Sequence, residues 1–175
     1  DEAPDDHAQN DQAETRTGAR MSVLDIVTWP DARLTAVCAP VATRTPEIDQ
    51  LIADMFETMY AAPGRGLAAP QVGRTERIFV FDAGWKEGTP TPVACINPQI
   101  VSLSDTRAIG EEGCLSIPGV PMDIARATEV TLRWTDADGT HERKFAGAEA
   151  VIVQHEYDHL DGIVIYDRVA QEQSQ

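Results

Sequence analysis

Basic residues are scarce in this 175-residue chain: 14 Lys and Arg stand against 29 Asp and Glu, a formal net charge of −15. Holding a phosphate backbone needs a basic face, so the imbalance argues against DNA or other nucleic acid as the ligand. It argues equally against an anionic membrane surface. Long apolar runs are missing as well. None approaches the roughly 20 residues of a membrane-spanning helix. No N-terminal segment has the basic-then-apolar order of a secretory signal. Cysteine is limited to Cys38, Cys95 and Cys114. An odd, sparse set is poor material for a disulfide framework, so a reducing cytoplasm is the expected setting, with Cys38 and Cys95 buried as small apolar groups. Residues 1–20 contain no Val, Ile, Leu, Met or aromatic residue, but six acids and two Arg. Such a segment cannot offset its ordering entropy by burial. It is expected to be a disordered acidic tail, or sequence upstream of a natural start at Met21. The tail carries only −4 of the charge, so the rest of the chain is acidic too.

What is there from Met21 onward is enough for one domain with a substantial core, expected over residues 21–170, with 171–175 frayed. Val23 to Trp29 is apolar and meets a turn signal at Pro30-Asp31. Leu34 to Val41 reads as extended. Thr45-Pro46 opens a helix, Thr45 as N-cap and Pro46 at the first helical position. Ile48, Leu51, Ile52, Met55, Phe56 and Met59 repeat at the spacing of one buried helix face, which assigns the methionines to core packing. Ala61-Ala62-Pro63-Gly64 ends that helix.

Ile78–Phe81 and Val93–Val101 read as strands, the second broken near Asn97-Pro98. Residues 111–119 contain Pro118 and Gly119 and read as a loop or strand end. Val130–Thr135 and His141–Phe145 form a hairpin around Asp138-Gly139, with His141 on the strand surface. Ala148–Leu160 is the last helix, capped by Gly162, and Ile163–Tyr166 is expected as a final strand. Runs of strands with two helices point to an α+β fold, with antiparallel or mixed sheets wrapped around the second helix.

That helix carries the chemistry. His155 and His159 lie four residues apart, which stacks both imidazoles on one face, and Glu156 follows the first. This is the H-E-x-x-H arrangement of two metal ligands and a general base. Two His on an otherwise apolar helix need partners, and a metal supplies them at once. Cys114 is the natural third ligand. Two imidazoles and a thiolate leave a fourth position open, as in catalytic sites. The stretch Gly64 to Gly73 consists of small residues with one amide, Gln71, and lacks the Gly-Lys-Ser/Thr ending of a phosphate loop. On its own it is either a close-approach loop whose Gln donates a hydrogen bond, or a tight turn whose Gln is solvated.

Three motifs in order now define a resemblance: Gly-x-Gly-hydrophobic-Ala-Ala-x-Gln at Gly64–Gln71, Glu-Gly-Cys-hydrophobic-Ser at Glu112–Ser116, and Gln-His-Glu-hydrophobic-Asp-His at Gln154–His159. Over roughly residues 22–168 the chain resembles the peptide deformylases. The resemblance implies that Cys114, His155 and His159 bind one divalent metal ion, Fe(II) in the cell, with Zn or Ni as replacements. It implies that Glu156 takes a proton from the attacking water and delivers one to the leaving amine. Gln71 and the backbone N–H of Leu115 would stabilise the developing oxyanion. Arg65, Gly66, Leu67 and Gly113 would line the substrate site. The implied substrates are formyl-methionyl nascent peptides and the products are formate and a free N-terminus. A monomer with transient ribosome contact is expected. The sequence shows no long C-terminal helix after residue 166, so ribosome docking through such a helix, as in one deformylase subclass, is not expected.

Arg65 departs from the family pattern, which has Ile or Val there. It could narrow the cleft, reach a carboxylate of the substrate, or turn to solvent. A deformylase-like protein with altered substrate range or no turnover is therefore the alternative, and an H-E-x-x-H metallopeptidase is a second. Asp158 has two readings: a partner of a metal-binding His, or an ion pair with a cation such as Arg126. Its direction on the helix favours the ion pair.

Overall fold

The computed structural model describes residues 22–172. The expected acidic tail and residues 173–175 lie outside them. Besides short 3-10 turns, the described residues form α1 (Pro46–Ala61), β1 (Gly66–Ala68), β2 (Ile78–Phe81), β3 (Val93–Leu103), β4 (Arg107–Cys114), β5 (Ile117–Ala127), β6 (Glu129–Asp136), β7 (Gly139–Ala146), α2 (Gly147–Leu160) and α3 (Ile165–Glu172). Five strands form one antiparallel sheet in the order β1-β2-β3-β6-β7, and β4 and β5 form a separate antiparallel pair. This is the expected α+β architecture.

Local chemistry sets most of these boundaries. The Thr45 side chain accepts a hydrogen bond from Ile48 N, and Pro46 occupies the first turn, where its missing N–H costs nothing. One face of α1 then buries Ile48, Leu51, Met55 and Met59 against Leu67, Ile78 and Val80 of the sheet. The other face of the sheet receives α2 through Ala150, Val153 and Leu160, which meet Phe79, Phe81 and Phe145. The strand β2 is buried on both faces, so it reads as four consecutive apolar residues without alternation. Asn97, at φ 51°, shifts the register of β3 between Ile96 and Gln99. Its side chain bonds both the N–H and the carbonyl of Val41, which ties the N-terminal segment to the sheet.

Two expectations are corrected, and one left open is decided. The segment expected to be extended from Leu34 begins as a 3-10 turn, Ala32–Thr35, capped by the Asp31 carboxylate on Arg33 N and holding Leu34 fully buried. Residues 111–119, expected as a loop or strand end, form the closed end of the long β4–β5 hairpin, so the strand-end reading holds. Cys114 pairs with Ile117 across a two-residue turn, Leu115-Ser116. Pro118 and Pro121 are tolerated because this pair has only one ladder, leaving an outer edge on each strand. The run Ile163–Tyr166 is not a final strand. Ile165 starts α3, with Val164 N held by the Asp167 carboxylate at 3.0 Å, and Val164 and Ile165 buried on Leu34 and Ile124. The β-branched run suggested a strand, and packing overrode it.

Candidate active site

Four elements converge on the site. The helix α2 carries His155, Glu156 and His159, β4 ends at Cys114, β1 brings Gly66, and the 3-10 turn Ala69–Val72 brings Gln71. The H-E-x-x-H spacing works as helical geometry requires. His159 Nε2 lies 3.3 Å from His155 Nε2 and 3.4 Å from Cys114 Sγ. All three ligand atoms fall within 4.8 Å of one another. With ordinary bond lengths for nitrogen and thiolate ligands, a tetrahedral ion demands edges of about 3.3 Å between nitrogens and about 3.5 Å between nitrogen and sulfur. The two spacings from His159 match those edges.

The surrounding groups point the same way. Glu112 Oε1 lies 2.9 Å from His155 Nδ1. A carboxylate only accepts, so Nδ1 carries a proton toward Glu112 and Nε2 is the ring atom turned to the other two groups. Burial opposes a charge on His155, yet its hydrogen bonds with Cys114 and Glu112 push its pKa up to about 10. Burial, and then the charge on His155, pulls His159 well below the usual imidazole range. Without an ion the positive charge therefore rests on His155 while His159 stays neutral, and a bound ion would replace the His155 Nε2 proton. The donor set and its spacing fit one metal ion.

Glu156 is 2% exposed, with Oε1 buried and unpaired. Burial pushes its pKa up to about 7. A carboxyl poised there exchanges protons near neutrality. Its position depends on Gly66: a Cβ on that residue would stand 2.6 Å from Glu156 Oε2. Gln71 is held at both ends of its amide. Its Oε1 accepts from Ala68 N at 3.0 Å, while Nε2 donates to Ser116 Oγ at 3.1 Å and also faces Cys114 Sγ at 3.6 Å. This settles the choice left by the sequence in favour of a buried, oriented amide. Leu115 is the first central residue of the β4–β5 turn, so its N–H lies outside the hairpin ladder. Ser116, the other turn residue, is fixed by Trp29 N on its carbonyl at 2.9 Å.

Behind the ligands runs a buried ion network that the motifs alone did not reveal. Arg126 donates from Nε and Nη2 to the two Glu112 oxygens, each at 2.9 Å, and from Nη1 to Asp158 at 2.6 Å. Arg168 Nε adds a bond to Asp158 at 2.9 Å. Asp158 is therefore in the ion pair expected for it. Burial would raise the pKa of Glu112, but its bonds to His155 and Arg126 hold it below the usual range. The signal for Glu112 was present in the sequence: it lies two residues before Cys114, on the same face of a strand. Leaving 111–119 open between loop and strand end concealed it.

Beside these groups opens a cleft of about 750 Å³, lined by Arg65, Gly66 and Gly113 among the expected substrate residues. Leu67 is a correction. It is fully buried between α1 and the sheet, because alternation along β1 turns it away from Gly66. Leu115, Ile117, Val120, Val151 and Ile152 give the cleft an apolar wall.

A dry carboxyl beside a three-ligand cluster with a fourth direction open to a cleft is the arrangement of a metal-dependent hydrolase. Comparison with known proteins narrows the class. Residues 23–175 match the polypeptide deformylase family, and the chain belongs to that family. It is 43% identical over 155 residues to the peptide deformylase of Nitrobacter hamburgensis, covering 86% of this chain and 89% of that one. Against the peptide deformylase of Alkalilimnicola ehrlichii it is 46% identical over 152 residues, covering 86% and 84%. Among solved structures, the Thermotoga maritima peptide deformylase superposes with a TM-score of 0.79 at 37% identity, covering 84% of this chain and 97% of that chain. A class I type b peptide deformylase from Acinetobacter baumannii, bound to Met-Ala-Ser, gives a TM-score of 0.79 at 32% identity, covering 85% and 99%.

Proposed function

We infer that the protein removes the formyl group from formyl-methionyl N-termini of newly made polypeptides, by hydrolysis of the formamide C–N bond. The observation that carries this is the junction of the Cys114, His155 and His159 cluster with Glu156 and the anchored Gln71 amide at one end of an apolar cleft. Cys114, His155 and His159 would hold a divalent ion, which would supply Lewis acidity toward a water and a carbonyl oxygen. Glu156 accepts a proton from the attacking water as the new C–O bond forms. It then returns that proton to the amide nitrogen, the C–N bond breaks, and formate and a free amine leave. One Gln71 N–H stays on Ser116 while the other, with the Leu115 N–H, donates to the carbonyl oxygen as it becomes negative. A neutral amide does this without competing as a base. The apolar wall of Ile117, Val120, Val151 and Ile152 suits an unbranched thioether side chain. The Acinetobacter baumannii relative bound to Met-Ala-Ser supports a peptide that begins with methionine.

In the same reading residues 21–170 are the catalytic unit, acting as a cytoplasmic monomer with transient ribosome contact. Among the described residues no helix is long and apolar enough to cross a membrane. The ion in the cell is Fe(II), with Zn or Ni as replacements. Tighter intrinsic binding of Zn follows the Irving–Williams order, so loading depends on supply. The thiolate ligand makes the ferrous form sensitive to oxygen.

The test is formate release from formyl-Met-Ala-Ser by protein loaded anaerobically with Fe(II), beside Glu156→Gln. Formate from the wild type and its loss in a variant that keeps its metal are expected. Cleavage of internal bonds in unformylated peptides, without formate release, would instead establish the metallopeptidase. No turnover of either substrate by the metallated wild type would establish the non-catalytic alternative.

A further inference from the structure

Arg65 lines the cleft one residue before Gly66, the residue packed against the Glu156 carboxyl. Its backbone is fixed by the sheet, since Asp82 N donates to Arg65 O at 2.8 Å. A second cation, Lys86, lines the same cleft from the 3-10 turn Trp85–Glu87. That turn is well anchored. Trp85 Nε1 donates to Gly64 O at 2.9 Å, and the Trp85 ring meets Tyr60 edge-on at 5.2 Å. Tyr60 in turn donates to the buried Asp82 carboxylate at 2.6 Å, whose other oxygen accepts from Thr91 N at 2.9 Å. The Lys86 ammonium sits 5.8 Å from the Trp85 ring centroid. The rim of the cleft next to Glu156 therefore presents two cations on a rigid base, in a molecule whose net charge is −15.

We propose that Arg65 and Lys86 form a carboxylate-reading rim, so that among formyl-methionyl peptides the enzyme prefers those with an acidic group just downstream of methionine. The proposal rests on the deformylase reading and refines its substrate class. At rest Arg65 pairs with Glu87 at 2.6 Å, and the two side chains are 41% and 61% exposed. Such a pair is weakly held in water and exchanges readily. A peptide carboxylate arriving along the cleft can replace Glu87, because the guanidinium fork accepts a carboxylate in two-point geometry. An extended peptide advances about 3.3 Å per residue. With the formyl group at Glu156, the proposal runs the residues that follow methionine along the Arg65 side of the cleft, one or two residue lengths away. Across the cleft Glu111 lines the β4 side. Its charge directs a substrate acid away from that wall and toward Arg65 and Lys86.

The metal-loaded full chain is tested on C-terminally amidated formyl-Met-Ala-Ala, formyl-Met-Asp-Ala, formyl-Met-Ala-Asp and formyl-Met-Ala-Lys, and on formyl-Met-Ala-Ala with a free C-terminus. The last substrate separates a terminal carboxylate from a side-chain one. Formate from the neutral amide reports the underlying reading independently. The proposal expects kcat/KM about fivefold higher for an acidic peptide than for the neutral one, carried by KM and shrinking with added salt. The acid-to-neutral ratio should fall to about one in Arg65→Ile, be partly kept in Arg65→Lys, and rise in Glu87→Gln, where the resting competitor is gone. Equal kcat/KM for acidic, neutral and basic peptides in the wild type would overturn it. So would an acid preference that survives unchanged in both Arg65→Ile and Lys86→Gln.

Discussion

Glu156 works in a corner made for it by a residue with no side chain. A Cβ at position 66 would stand 2.6 Å from Glu156 Oε2 and 2.9 Å from its carboxyl carbon. Gly66→Ala must therefore displace the carboxyl while leaving the three ligands in place. We expect metal content equal to wild type and kcat lowered by about 10²-fold, the scale of a roughly 1 Å misplacement of a reacting group. Metal analysis beside steady-state kinetics checks this, and a wild-type kcat would mean that Glu156 is not the base. The pH profile adds a second check. Glu156 must be ionised to accept a proton, so activity is present above its pKa and falls about tenfold per unit below it. Burial sets that value at about 7 without an ion. A cation on the neighbouring ligands favours the charged form, so in the loaded protein the acid limb should lie below 7.

At the scale of elements, α2 has to deliver two ligands in fixed register, and its two supports differ in kind. Its C-terminal end is set by Gly162 at φ 73°, where a Cβ would meet Thr35 O at 2.5 Å. Both the left-handed backbone and the rigid carbonyl oppose a side chain, so Gly162→Ala should destabilise the fold by about 2 kcal/mol in urea unfolding. Its flank is held by Asp158, bonded to Arg126 and Arg168. Asp158→Asn leaves Arg126 a buried cation short of one anion. We expect a loss of about 3 kcal/mol of stability with metal stoichiometry retained, because Asp158 faces the cations and not the ligand cluster. Loss of metal in a folded variant would show that the network acts on the ligands through Glu112.

Across the whole molecule, the three cysteines are sorted by where the fold puts them. Cys38 is buried, and burial pushes its thiol up to about 11; Cys95 lies in the core, and burial holds its thiol well above the usual range. At pH 8 the Cys38 thiolate fraction is about one in a thousand. Cys114 faces the cleft. Alkylation of the folded protein at pH 8, read by peptide mass spectrometry, should label Cys114 alone in metal-free protein and no cysteine in metal-loaded protein. Equal labelling of Cys38 would show that the packing of the N-terminal segment on α2 opens readily. Only one of the three therefore links the core to chemistry, and it closes β4 where both sheets meet α2.

The Cys114, His155 and His159 cluster and the carboxyl beside it were legible in the sequence because their signals are local, a four-residue helical spacing and a thiol among small residues, whereas the Gln71 loop left two readings that only its contacts with Ala68 and Ser116 decided. The capping of α1 and the β6–β7 hairpin were legible for the same reason. Other features were decided only by packing. Whether 163–166 became strand or helix depended on the pocket formed by Leu34 and Ile124. Whether 111–119 became loop or hairpin depended on pairing with residues up to Ala127. Glu112 acquired its hold on His155 across 43 residues, and Arg126 its two carboxylates across 14 and 32 residues of chain. Arg65 found Glu87 across 22 residues. Spacing within one element is set by backbone geometry and can be read from neighbours. A contact between elements exists only once the core has fixed which faces meet.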